Sequence, residues 1–120
     1  EDAFWNTEHV TVYDSELNGE YLGWHSHNLR LVNCQISGTQ PLCYAHDLVM
    51  ENCVMADDAD LCFEYSSINA TIKSPVHSVK NPRSGSITAE SYGKIILDEN
   101  IKAPGNCELR LWDNTTCFNQ

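Results

Sequence analysis

The residues of this chain best suited to chemistry are three histidines and a glutamate set at a common spacing. His25 and His27 lie two apart, His46 follows His27 by 19 residues, and Glu8 precedes His27 by 19. Neutral imidazoles brought side by side on neighbouring strands bind transition metals, and a carboxylate would complete a mixed nitrogen and oxygen set. The same column, Glu8, His27, His46 and Tyr65, also reads as a polar ladder at a solvated corner, and that is the stronger expectation. Metal binding through His25, His27, His46 and Glu8 is the weaker one, and no cofactor is expected.

Acidic groups offer a second chemistry. A glycoside hydrolase needs two carboxylates as acid and base, and Asp57-Asp58 with Asp60 is the candidate run. A calcium-dependent polysaccharide lyase would need carboxylates clustered on adjacent strands beside a basic residue. Arg30, however, shares its repeat position with Thr11 and Val49 rather than with acids. A solvated acidic turn accounts for the aspartates, so catalytic residues are not assigned. If the chain were an enzyme, polysaccharide lyase or glycoside hydrolase chemistry would be the type.

The element that must position these residues is a repeat. Trp5, Trp24, Cys43 and Cys62 follow one another at 19 residues. The alternating apolar pairs Val10/Val12, Leu29/Leu31, Leu48/Met50, Ile68/Ala70, Ile87/Ala89 and Cys107/Leu109 recur at steps of 19, 19, 20, 19 and 20. Short segments of period two at such a spacing mark a stacked β-solenoid. The expected fold is all-β, a parallel β-helix of about six coils, because each coil cannot bury its apolar face alone and must stack on the next. Residues 1–110 are expected to form this domain, residues 111–120 a tail or cap, and the first repeat's beginning almost at Glu1 raises the expectation of a fragment lacking upstream coils. An uncovered first rung would expose unpaired backbone groups and favour dimerisation through that coil.

The column Asp14, Asn33 and Asn52 reads as a corner ladder, since Asn and Asp tolerate turn geometry, and Gly19 and Gly38 mark the next corner. Cys34 stacks with Cys53 and Cys43 with Cys62. Side chains stacked about 4.8 Å apart hold their Cβ atoms beyond the preferred disulfide separation. Free buried thiols follow, and with them a reducing, cytoplasmic location.

Between corners, the segment carrying Trp5, Trp24, Cys43 and Cys62 reads as a strand with two faces. The column Thr7, Ser26, Ala45 and Glu64 suits a tight interior, so this face and the tryptophans are expected inward. The opposite face then carries Asn6, His25, Tyr44 and Phe63, flanked by Leu42 and Leu61, as an outward aromatic ladder. Past Ser67 the register loosens, then returns at 19 residues between Ile68 and Ile87, with a later turn at Ala103-Pro104-Gly105.

At these residues the chain resembles a known family. The segments FWNTEHVTVYDS, GEYLGWHSHNLRLVNC, ISGTQPLCYAHDLVMENC and VKNPRSGSI resemble the C-terminal half of a bacterial family of single-stranded right-handed β-helix proteins of unknown function. The likeness covers residues 3 to 109. It implies a right-handed parallel β-helix of pectin-lyase-like type and a bacterial cytoplasmic origin, and it carries no catalytic residue across.

Charge narrows the partners. Seven Lys and Arg stand against 17 Asp and Glu, a formal charge of −10, and the basic residues are scattered. Such a chain repels phosphate backbones and anionic membranes, and no apolar run approaches the roughly 20 residues that span a bilayer. The function expected is a non-catalytic scaffold for self-association or for binding another protein through His25, Tyr44, Phe63, Leu42 and Leu61. A saccharide-binding or carbohydrate-active face is the alternative.

Overall fold

The structure, a computed structural model, describes residues 4–97, 106–113 and 116–119. Among the described residues the regular elements are all strands: β1 (Thr11–Tyr13), β2 (Glu16–Asn18), β3 (Arg30–Val32), β4 (Gln35–Ser37), β5 (Leu48–Met55), β6 (Ser67–Ile72), β7 (Val76–Lys80), β8 (Ser84–Ala89), β9 (Tyr92–Ile96), β10 (Asn106–Leu111) and β11 (Thr116–Asn119). The expected turn at Ala103-Pro104-Gly105 lies outside the described residues.

Strands β1, β3, β5, β6, β8 and β10 stack in parallel in one sheet. Six rungs enclose about five full turns of a solenoid. A second side of the coil is made by β2, β4 and the end of β5, and a third by β7 and β9. Strand β11 turns back antiparallel on β10, ending the parallel stack. The tail is also tied to the fourth coil, where Trp112 donates its indole N–H to the Ile72 carbonyl at 2.8 Å.

In the first coils the register is the one the repeat predicts: Val12 opposes Leu31, Leu31 opposes Met50, and Leu17 opposes Ile36. The inward column is fully buried from Leu31 onward, because alternate residues of an extended chain face the same side. The corner ladder is present as well. Asp14, Asn33 and Asn52 take left-handed φ of 52°, 56° and 56°, the backbone state that Asn and Asp accept most readily after glycine.

Beyond the third coil the register departs from expectation. Met50 opposes Ala70 at 20 residues, but a bulge brings Cys53 opposite Ile72 at 19. Ala70, not Ile68, opposes Ile87, an offset of 17 rather than 19, and Leu109 then opposes Ile87 at 22. The departure is an even number of residues, so inward side chains stay inward. Hydroxyls absorb the drift. The amides of Ala45, Asp47, Asn52, Met55 and Leu61 donate to the hydroxyls of Ser66, Ser67, Thr71, Ser74 and Ser78, at 2.9, 2.7, 3.1, 2.8 and 2.6 Å. The offset falls along this series from 21 to 17 residues. A hydroxyl on a rotatable arm can meet an amide that no carbonyl of the next coil is placed to meet.

Candidate functional site

The segment expected as a two-faced strand is a run of turns. Left-handed φ falls on alternate residues: Phe4 and Asn6 in the first coil, Gly23 and His25 in the second, Leu42 and Tyr44 in the third, Leu61 and Phe63 in the fourth. Each non-glycine member is disfavoured by roughly 1 kcal/mol in this state. The rung-to-rung bonds Asn6 N–H to Trp24 O, His25 N–H to Cys43 O and Tyr44 N–H to Glu64 O, at 3.0, 3.4 and 2.7 Å, hold it there.

These reversals defeat simple alternation, so both face assignments need correction. Leu42 and Phe63, expected on the outer ladder, are 0% exposed and belong to the core, and Leu61 is half-buried. Gly23 makes the room: a Cβ there would meet the Leu42 side chain at 2.8 Å. Trp5, expected inward, is 39% exposed, and Trp24 is half-buried at the surface. Cys43, Cys62, Ser26 and Ala45 do point inward as expected.

What reaches the surface is an aromatic corner. Trp24 is its hub, with Trp5, Tyr21 and Tyr44 at centroid distances of 6.2, 4.8 and 5.3 Å, each inclined at 56° to 70°. His25 stacks on Tyr44 at 5.1 Å and 14°, and Tyr65 lies on from Tyr44 at 5.7 Å. The indole N–H of Trp24 donates to the Gln40 carbonyl at 2.8 Å, which fixes the ring against the third coil. Burial first, then the Glu64 carboxylate, push the Tyr44 phenol above its usual range. Of the predicted ligand surface, His25 and Tyr44 are therefore brought together here. Sequence reasoning missed Tyr21, Trp24 and Tyr65. Tyr65 replaces Phe63 as the fourth-coil ring although it sits 21 residues after Tyr44, a spacing the 19-residue period does not point to.

The histidines are divided. His27 and His46 bridge in parallel register with Glu8 and stack at 4.6 Å and 5°, while His25 turns to Tyr44. Among the described residues no three His, Cys, Asp or Glu side chains form a metal-sized group. Two parallel imidazoles do not converge on one ion at the roughly 2.0 Å a Zn–N bond requires.

Each aspartate of the acidic turn is engaged with another coil. Asp57 pairs with His77 Nε2 at 3.1 Å, Asp58 accepts the Gly38 N–H at 3.1 Å, and Asp60 accepts the Thr39 hydroxyl at 2.6 Å. Their three different partners spread the carboxylates along the corner instead of aiming two at one point. An open groove of about 270 Å³ beside the main sheet is lined by His9, Thr11, Asn28, Arg30, Asp47 and their neighbours. Its one lining carboxylate is Asp47, and Arg30 is held by Glu51 at 2.6 Å.

Cys34, Cys43, Cys53, Cys62 and Cys107 are free and buried, as the columns predict. Burial pushes the thiols of Cys43 and Cys107 up to about 12 and raises those of Cys53 and Cys62. A thiol so placed stays protonated and behaves as a small apolar group rather than a nucleophile.

No curated protein and no solved structure matches the chain. A family model for proteins of unknown function, DUF3737, matches residues 1–110. With nearly its whole length covered by that model and a parallel solenoid as its fold, the chain belongs to the DUF3737 family of proteins of unknown function.

Proposed function

We propose that this protein is a non-catalytic β-solenoid scaffold whose aromatic corner is a contact surface for another protein. The observation that carries this reading is the ring ladder from Trp5 through Trp24 and Tyr44 to Tyr65, open in part to solvent across four coils. Large aromatic side chains concentrate binding energy at protein contacts. These rings stand on turns held by backbone bonds to the next coil, so little ordering would be lost on binding. A right-handed coil is supported by the strong preference of parallel crossovers for that hand, and its pectin-lyase-like type rests on the sequence resemblance alone. The buried unpaired thiols support a reducing compartment.

A saccharide-binding face is the second reading, favoured by the exposure of Trp5, since a sugar ring stacks on an open aromatic face. The stacking of His25 on Tyr44 weighs the other way, because rings stacked along the coil axis turn their faces to each other. Lyase or hydrolase activity has only fold analogy behind it.

The test compares wild type with Trp5→Ala/Tyr44→Ala by crosslink mapping of bound proteins, sedimentation velocity and a glycan array. The scaffold reading expects crosslinks at the aromatic corner that disappear in the variant. A glycan bound only by wild type would put the saccharide reading in its place. A sedimentation change only in wild type would make the partner a second copy. No difference in any measurement would remove the corner from function.

A further inference from the structure

We infer that the aromatic corner takes an arginine-bearing segment of another protein, a partner chemistry that rests on the scaffold reading above. The argument begins with Gln40 and Thr39, which join the rings to a row of carboxylates. The Gln40 carbonyl accepts the Trp24 indole N–H at 2.8 Å, and its own N–H donates to the Asp60 carbonyl at 2.8 Å. The Thr39 carbonyl accepts the Tyr21 N–H at 3.1 Å, and its hydroxyl donates to Asp60 Oδ1 at 2.6 Å. Asp60 thus stands beside the ring ladder. Asp58, held by the Gly38 N–H, and exposed Glu20, next to Tyr21, continue the same border.

These carboxylates are not balanced by a neighbouring cation: Asp58 and Asp60 accept bonds from neutral donors, and among the described residues neither they nor Glu20 has an ion-pair partner. The ion-paired cations are each held by another carboxylate: Arg30 by Glu51, Arg110 by Glu108, His77 by Asp57, and Lys80, which lies beside Tyr44, by Glu64. A surface that sets aromatic rings beside uncompensated carboxylates matches a group that is flat, cationic and rich in N–H donors. Guanidinium is that group, because it stacks on a ring while its fork of donors meets a carboxylate. A lysine ammonium serves the carboxylates but stacks less well. A second copy of this chain fits poorly, since two molecules of formal charge −10 approach against their own field.

The test is a tryptophan-fluorescence titration of the full chain at low salt with a blocked (Arg-Gly)5 peptide and its (Lys-Gly)5 counterpart. The arginine peptide should bind the tighter of the two. Trp5→Leu, which keeps an apolar contact with Trp24 but removes the ring, should weaken it about fivefold. Asp58→Asn/Asp60→Asn keeps both hydrogen-bond acceptors and removes both charges, and should weaken it about tenfold. The equal charge change Asp14→Asn/Glu90→Gln, away from the aromatic corner, should leave affinity within about twofold. Circular dichroism checks that each variant is folded, and Tyr21→Leu substitutes for Trp5→Leu if that variant is not. Equal effects of the two charge pairs, or none from the ring variants, would mean that net charge alone draws the peptide and would overturn the inference. Loss of the arginine preference with crosslinks still mapping to the corner would sink this inference and spare the scaffold reading. Crosslinks mapping elsewhere would sink both.

Discussion

A Cβ on Gly85 would lie 1.8 Å from the carbonyl oxygen of Ile68, the residue it faces across the stack. Gly85 also takes φ +102°, which side-chain-bearing residues rarely adopt. This contact sits at the 17-residue step between β6 and β8, so the altered register depends on a position with no side chain.

Gly85→Ala should therefore destabilise the fold by at least about 2 kcal/mol. The urea midpoint would fall with little change in slope. Gly38→Ala, whose Cβ would meet the Gly19 carbonyl oxygen at 2.3 Å, should behave alike.

The fourth-coil rings separate core from surface. Phe63 is wholly buried, so Phe63→Ala should lose about 3–5 kcal/mol through lost burial and a cavity. Tyr65→Ala, at the half-buried end of the ladder, should lose about 1 kcal/mol. Equal losses in chemical denaturation would contradict the inward placement of Phe63.

The buried thiols set an alkaline limit. Cys43 and Cys107 are raised from 9.0 to about 12. Below pH 9 they are protonated in both the folded and unfolded states. Between pH 9 and 12 the unfolded chain releases protons that the folded chain retains, so stability falls as pH rises through this window. Denaturation midpoints measured from pH 8 to 11 under reducing conditions should decline, and Cys43→Ala should flatten the decline. The same thiols should resist a disulfide reagent until the chain unfolds.

The corner ladder gives an opposite pair of outcomes at one residue. Asn33 sits at φ 56° between Asp14 and Asn52. Asn33→Gly should change stability by only a few tenths of a kcal/mol, whereas Asn33→Val should destabilise by about 1–2 kcal/mol, because a branched Cβ is poorly accommodated in the left-handed state. Thermal melts of the two variants are the check.

Much of this was legible in the residues. Trp5, Trp24 and Cys43 announce the coil by their 19-residue spacing, and Cys34 with Cys53 forms a further column at the same step. The aromatic site was half legible: His25 and Tyr44 were found, Leu42 and Phe63 were placed on the wrong side, and Tyr21, Trp24 and Tyr65 were missed. Alternation assumes an extended backbone, and left-handed φ at Gly23, His25, Leu42 and Tyr44 breaks that assumption. Asn and Gly announce such a conformation, but leucine and phenylalanine do not.

By itself, the sequence determined the parallel stack, its period, the buried thiols and the Asp and Asn corner, because each follows from one residue lying over its equivalent in the next coil. Only the tertiary structure decided which rings meet water and where the register steps by 17 residues. Those outcomes depend on local backbone reversals and on hydroxyls of one coil satisfying amides of another, interactions between positions that no fixed spacing relates.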